Sequence, residues 1–124
     1  MNSLTILLVD DDAAQMKTLK GHLEPKGHRV TVCSTGAQAV AILEKQTFNL
    51  VITDAYIPGR DGIEVILERG KTDAHARVIA LSGDGRFGTD QYLLLVKKLG
   101  ADAILKRPFS TEQLFAAIEA AVKK

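Results

Sequence analysis

Acidic, hydroxyl and basic residues follow the ends of short apolar segments along the chain. In chain order they are Asp10, Asp11, Asp54, Ser82, Lys106 and Arg107. A carboxylate beside a divalent cation can attack a phosphoryl group as a nucleophile. The cation and a basic side chain can neutralise the oxygens of the transferring group. These residue types therefore favour phosphoryl-transfer chemistry, provided that the fold brings them to one place.

The three aspartates predict a metal site. Carboxylates that converge on one pocket repel one another, and a pair separated by about 4 Å costs about 4 kcal/mol at an effective dielectric of 20. A hard divalent ion relieves this repulsion, and Mg²⁺ takes one or two carboxylates and completes its shell with water and phosphate oxygens. Asp10, Asp11 and Asp54 are the candidate ligands, and Mg²⁺ is the expected cofactor.

Five short apolar segments predict the strands that must position these residues. Each is only a few residues long, and together they are rich in Val, Ile and Leu, as in strands that are buried on both faces of a parallel sheet. The segments are Leu4–Val9, Arg29–Cys33, Leu50–Thr53, Val78–Leu81 and Ala103–Leu105.

Segments with helical spacing follow the strands, and each has one apolar stripe. The predicted stripes are Met16, Leu19 and Leu23; Ala37, Val40, Ala41 and Leu43; Ile63, Ile66 and Leu67; Tyr92, Leu95, Val96 and Leu99; and Leu114, Ile118, Ala121 and Val122. A capping box at 110–113 opens the last helix. Gly27 and Gly100 lie just past helix ends, where a left-handed residue is favoured.

This alternation predicts an α/β fold, namely (βα)5 with a doubly wound parallel five-stranded sheet and right-handed crossovers. With the flavodoxin-like strand order 2-1-3-4-5, the third strand lies between the first and the fourth. Ligands bind beyond the carboxyl ends of the strands in such sheets, and neighbouring strands are about 4.8 Å apart. Asp54 is therefore expected within reach of the ends of the first and fourth strands.

The composition narrows the class of protein. The 124 residues are 46% hydrophobic and 25% charged with a net charge of +1, which favours one soluble domain and argues against nucleic-acid binding. No apolar run reaches about 18 residues and the N-terminus has no secretory pattern, so we expect no membrane span and no export. One cysteine, Cys33, cannot form an internal disulfide, which fits a cytoplasmic location.

Other polar residues have structural explanations. Asp12, with Gln15 three residues later, is expected to cap the first helix. His22, His28 and His75 lack the spacing of a metal or catalytic pair, and we expect them at the surface or at a sheet edge.

Six segments together resemble the receiver domain of bacterial two-component response regulators. They are ILLVDD at 6–11, LVITD at 50–54, IPGRDG at 57–62, VIALSG at 78–83, GAD at 100–102 and PF at 108–109. The resemblance extends over the whole chain. It implies one receiver domain over 1–124 with no output domain, which signals by protein contact and is not an enzyme for an external substrate.

The resemblance also implies roles for individual residues. Asp54 would be the phosphoacceptor, receiving a phosphoryl group from a histidine kinase or a phosphotransfer protein. Asp11 would bind Mg²⁺ directly and Asp10 mainly through a water, and the main-chain carbonyl of Tyr56 would be a further ligand. Ser82 matches the switch hydroxyl that turns inward to bond the phosphoryl oxygen.

Pro58, Gly62 and Gly83 match the loops that shape the pocket of such a domain. The family also uses its fourth and fifth helices as an output or dimer surface. The apolar run that includes Tyr92, Leu93 and Leu94 is therefore a candidate surface for a downstream target protein or for a second copy of the chain.

Two positions depart from the family pattern. The family has Lys directly before the proline of the fifth-strand motif, whereas here Arg107 stands there and Lys106 precedes it. Either Arg107 contacts the phosphoryl group through its planar guanidinium, or a local bulge brings in Lys106. We favour Arg107, and the two side chains are not equivalent. Ile104 replaces the family's switch aromatic, so another element such as Tyr92 would carry the conformational response.

Two other functions are open on sequence grounds. The departures at Arg107 and Ile104 allow a degenerate receiver that works as a scaffold independently of phosphorylation. The Asp10-Asp11-Asp12 run also fits the nucleophile pattern of haloacid-dehalogenase-type phosphohydrolases. The short chain counts against this second alternative, which also gives Asp54 no role.

Overall fold

Five parallel strands form one sheet in the order β2-β1-β3-β4-β5. The computed structural model describes residues 3–54, 65–66, 68–69, 76–82, 94 and 97–123. The strands are β1 (Thr5–Val9), β2 (Arg29–Cys33), β3 (Leu50–Asp54), β4 (Arg77–Ser82) and β5 (Ala103–Lys106). The predicted flavodoxin-like sheet is confirmed, and each predicted strand lies within one residue of the observed bounds.

Alternate residues of the strands enter two separate hydrophobic cores, one on each face of the sheet. Leu7, Val51 and Val78 pack on the side of α2 (Gly36–Leu43) and of the helical residues 65 and 66. Their neighbours along the strands pack on the side of α1 (Ala13–Leu23) and of the C-terminal helix (Thr111–Val122). Burial on both faces explains why the strand segments are almost continuously apolar.

Side-chain caps fix where the described helices begin. Asp12 accepts a hydrogen bond from the Gln15 N–H at the start of α1, as predicted. The C-terminal helix opens with the predicted capping box, in which Ser110 and Gln113 each bond the other's backbone N–H. Residues 68–69, 94 and 97–98 are also helical, and a short 3₁₀ turn (Glu24–Lys26) follows α1.

The predicted apolar stripe of α2 is wrong at Ala37 and Ala41, which are exposed. The helix begins at Gly36, so the i, i+3, i+4, i+7 face that meets the sheet contains the residues at 36, 39, 40 and 43. Because their side chains are small, Ala37 and Ala41 did not indicate which face of α2 meets the sheet and which faces solvent. The stripes of α1 and of the C-terminal helix are confirmed, apart from a half-buried Val122.

His28 was expected at the surface or at a sheet edge; it lies at the sheet edge, because β2 is an edge strand, but it is not exposed. His28 is buried beside the start of β2, and its Nδ1 accepts a hydrogen bond from the Leu4 N–H at 3.0 Å. Burial lowers the pKa of His28. Cys33 in β2 is a buried thiol, and burial raises its pKa to about 11.

None of the helices within the described part of the chain is long and apolar enough to span a bilayer. The residues at 63, 67, 92, 95 and 96, which complete the predicted third and fourth stripes, lie outside the described residues.

Two glycines allow a direct test of backbone conformation. Gly27 has φ +94°, in the left-handed region where an L side chain is strained, whereas Gly21 lies inside α1. For a Cβ built at either position, the described residues present no contact within 4 Å. We expect Gly27→Ala to lower the free energy of unfolding by about 1–2 kcal/mol. Gly21→Ala should raise it by about 0.5–1 kcal/mol. Urea unfolding of the two variants measures both values, and equal effects of the same sign would contradict this interpretation.

Candidate functional site

The carboxyl ends of the strands bring the predicted polar residues to one edge of the sheet. Val9 of β1 is paired with Thr53 of β3. Asp10 is the next residue after Val9, and Asp54 is the next residue after Thr53. On the other side of β3, Asp54 itself pairs with Leu81, and Ser82 pairs with Lys106 of β5. The parallel register therefore places the ends of four strands around Asp54.

Three carboxylates meet at this edge. Asp10, Asp11 and Asp54 each contribute an oxygen, and these oxygens all lie within 4.8 Å of one another. Asp10 is 2% exposed and Asp54 7% exposed, whereas Asp11 is open to solvent. A set of carboxylate oxygens at this spacing, with one side open to water, fits a hard divalent ion such as Mg²⁺.

The side chain of Arg107 bridges the two buried carboxylates. Its Nη2 donates to Oδ2 of Asp10 at 2.5 Å, and its Nη1 donates to Oδ2 of Asp54 at 3.2 Å. Nη1 also lies 3.5 Å from the main-chain oxygen of Ser82. The side chain is 17% exposed, so these contacts are largely withdrawn from water. We call this arrangement the Arg107 bridge.

Lys106, the alternative to Arg107, has an exposed side chain. β5 ends at Lys106, and Arg107 follows directly and precedes Pro108. Successive extended residues present their side chains in opposite directions, and here the position next to the proline is the one that faces the carboxylates.

Asp10 is oriented from two directions. Its Oδ2 accepts from Arg107, and its Oδ1 accepts from the Asp12 N–H at 3.0 Å. Burial raises the pKa of Asp10 to about 6; the hydrogen bond from Asp12 and the charge of Arg107 oppose this rise, while Asp54 and Asp11 add to it. The three consecutive aspartates therefore differ in role, because Asp12 caps α1 and Asp10 faces the site.

Ser82 and Thr53 complete the described edge. Both are buried, and the Thr53 hydroxyl donates to the main-chain oxygen of Asp54 at 3.0 Å. This contact was not predicted from the sequence, although a single hydroxyl in the otherwise apolar segment before Asp54 was the available signal. Ile104, at the position of the family's aromatic residue, is half-buried against the core on the α2 side.

The sequence did not predict that Arg107 would contact Asp10. From the sequence, Arg107 was expected to contact the phosphoryl group, not Asp10 and Asp54. Asp10 and Arg107 lie 97 positions apart, so only the fold brings them together.

Several predicted site residues lie outside the described part of the chain. These are Tyr56, Pro58, Gly62, Gly83, Tyr92 and Leu93. Leu94, the remaining member of the predicted partner surface, is helical and 59% exposed.

Comparison with known sequences reveals one family. A sequence profile for the response regulator receiver domain matches residues 6–119. The chain is 32% identical over 119 residues to the transcriptional activator protein PfeR of Pseudomonas aeruginosa, a match that covers 96% of this chain and 38% of PfeR. Across this and three further curated relatives, the chain spans between 38% and 57% of their length.

Solved structures with this fold are similar along almost the whole chain. A CheY-like receiver domain protein from Methanospirillum hungatei superposes with a TM-score of 0.90 at 26% identity, covering 98% of this chain and 95% of that one. The receiver domain of the sensor histidine kinase PA1611 from Pseudomonas aeruginosa superposes with a TM-score of 0.85 at 25% identity, covering 99% and 100%. That receiver domain was solved with a magnesium ion coordinated in its active site cleft.

The raised pKa of Asp10 predicts a pH-dependent cost to folding. The folded pKa of about 6 lies above the ordinary value of 3.8, so the folded protein holds a proton that the unfolded chain has lost. The stability contributed by protonated Asp10 is therefore lost as the pH rises through about 6.

With metal chelated, we expect Asp10→Asn to raise the free energy of unfolding by roughly 2–3 kcal/mol at pH 7.5 and by about 1 kcal/mol at pH 4.5. Urea unfolding at the two pH values measures the difference. Asp12→Asn is the control, since the side chain is exposed and Asn caps a helix as well as Asp. A loss of stability in Asp10→Asn at pH 7.5 would show that the ionised carboxylate stabilises the fold.

Proposed function

The chain belongs to the family of response regulator receiver domains, the signalling domains of two-component systems, and we propose that it accepts a phosphoryl group on Asp54. One observation carries the proposal: Asp54 ends the central strand within a group of carboxylates and is contacted by a guanidinium. An isolated turn aspartate would need neither partner. The donor would be a histidine kinase or a phosphotransfer protein.

In the proposed reaction, a carboxylate oxygen of Asp54 attacks the phosphorus of the donor. A bond forms between that oxygen and phosphorus, and the bond from phosphorus to the donor imidazole nitrogen breaks. The electron pair of the broken bond stays on that nitrogen, and Asp54 becomes an acyl phosphate. Arg107 already lies against Asp54, where a positive charge neutralises the oxygens of the incoming group.

Asp10, Asp11 and Asp54 would hold Mg²⁺, with the main-chain carbonyl of Tyr56 as the further ligand that the family pattern implies. Their oxygens lie within 4.8 Å of one another and one side of the group is open to water, which supports this assignment. When bound, Mg²⁺ supplies positive charge to the oxygens of the transferring phosphoryl group. Asp10 can take part only in its ionised form, because metal ligands must be deprotonated.

Ser82 is the proposed sensor of the phosphoryl group. It ends β4 beside Asp54, and its position beside β5 links the site to the edge of the sheet. A hydroxyl that bonds the new phosphoryl oxygen would favour one conformation of this edge over another, which is a shift in population. Proteins that distinguish the two conformations would be the downstream targets, and the exposed Leu94 is a candidate contact.

We propose a cytoplasmic signalling role through protein contacts, including a second copy of the chain as one type of partner. The relatives are longer than this chain, so the proposal concerns the receiver domain that these residues form. The expectation that no output domain accompanies it stays a prediction. A phosphorylation-independent scaffold and a phosphohydrolase that uses Asp10 are the alternatives that the following test distinguishes.

Asp54 is tested by intact mass after incubation with acetyl phosphate and Mg²⁺. We expect one phosphoryl group on the unmodified protein, and none on Asp54→Asn or in excess chelator, because the nucleophile or the metal is then missing. Asp12→Asn, which changes an exposed aspartate nearby, should still form the adduct. The absence of any adduct on the unmodified protein would support the scaffold. Hydrolysis of a phosphate ester by Asp54→Asn but not by Asp10→Asn would support the phosphohydrolase.

Ser82 is tested by the response of the protein after phosphorylation. We expect Ser82→Ala to form the adduct but to show smaller shifts of the β4 and β5 amide resonances, because the new phosphoryl oxygen loses its hydroxyl partner. Ser82→Thr keeps the hydroxyl and should restore the shifts. Undiminished shifts in Ser82→Ala would show that another group senses the phosphoryl oxygen.

A further inference from the structure

We propose that Arg107 is an internal counter-cation that competes with Mg²⁺ for Asp10, so that metal binding requires the Arg107 bridge to open. This inference rests on the metal site of the proposed function. It assigns to Arg107 a role before any phosphoryl group arrives, namely setting the metal affinity of the protein.

The contacts of Asp10 carry the inference. Both of its oxygens are engaged, since Oδ1 accepts from the Asp12 N–H at 3.0 Å and Oδ2 accepts from Arg107 at 2.5 Å. The bond from Asp12 belongs to the backbone at the start of α1. The bond from Arg107 comes from a side chain, so it is the one that can be exchanged without moving a strand or a helix.

The charges lead to the same conclusion. Asp10 and Asp54 are buried within 4.8 Å of each other, and the guanidinium lies against an oxygen of each. An approaching divalent ion, or the water through which it would bind Asp10, would meet this positive charge at the same oxygens. Metal and guanidinium therefore relieve the same repulsion, and each weakens the binding of the other.

The shape of the guanidinium explains why arginine can do this. Two N–H groups of one planar, weakly hydrated group reach two carboxylates at once, whereas a lysine ammonium is a compact and strongly hydrated point charge. The third donor, Nε, is buried and has no hydrogen-bond partner among the described residues. A buried unpaired donor is costly. The two Nη contacts therefore hold the guanidinium in its buried position, and that position becomes unfavourable when Asp10 gains another partner.

The experiment measures the dissociation constant of Mg²⁺ by isothermal titration calorimetry at one pH, without a phosphodonor. Arg107→Lys keeps the positive charge but removes the planar guanidinium and its two Nη donors, and we expect it to bind Mg²⁺ about tenfold more tightly than the unmodified protein. Arg107→Gln should bind at least as tightly as Arg107→Lys. Lys17→Gln, which removes one charge from the exposed face of α1, should bind like the unmodified protein.

Thermal unfolding is the second measurement. In chelator, Arg107→Lys and Arg107→Gln should melt below the unmodified protein because the two buried carboxylates have lost the bridge. Saturating Mg²⁺ should raise the melting temperature of both variants more than that of the unmodified protein. Arg107→Lys decides the result if Arg107→Gln does not fold.

Two outcomes would overturn the inference. If Arg107→Lys binds Mg²⁺ as the unmodified protein does, the charge alone matters and the bridge does not compete. If it binds more weakly, Arg107 supports metal binding. The acetyl phosphate experiment is separate: a missing adduct together with tighter Mg²⁺ binding by Arg107→Lys would refute the proposed function and leave this inference standing. An adduct together with unchanged Mg²⁺ binding by Arg107→Lys would support the proposed function and refute this inference.

Discussion

The repulsion between two buried carboxylates is the constraint to which the rest of the site responds. Asp10 and Asp54 are largely withdrawn from water at the ends of adjacent strands, where solvent screens their charges only weakly. A cation beside such a pair, or a proton on one of the two carboxylates, relieves the repulsion. The guanidinium of Arg107 supplies that cation in the structure, and the raised pKa of Asp10 shows that burial is only partly compensated.

The sheet is what makes this costly arrangement stable. β3 is buried along its whole length between β1 and β4, so Asp54 cannot move away from Asp10 without breaking the central pairings. The two apolar cores on the faces of the sheet provide the free energy that holds the charged edge together. Like-charge pairs with a perturbed pKa are typical of functional sites.

The sequence predicted the strands and the cluster of aspartates because both depend on local patterns, whereas the strand order came from the flavodoxin-like fold that the alternation of strands and helices indicates. Continuous apolar runs have few alternatives to buried parallel strands, and residues that follow them must lie at one edge. The burial of His28 and the sheet-facing side of α2 were not predictable in the same way. Small or isolated residues there carry little local signal. The contact between Arg107 and Asp10 depends on the reach of one long side chain across strands that are distant in sequence.

The reciprocal cap at the start of the C-terminal helix has a mechanical consequence for Arg107. Ser110, three positions further along, is fixed by hydrogen bonds in both directions with Gln113. On the other side, β5 is paired with β4 up to Lys106. The backbone is therefore fixed on both sides of Arg107. Its side chain can change position mainly by rotation about its own bonds. Release of the guanidinium from Asp10 would then need a rotamer change and no rearrangement of the backbone.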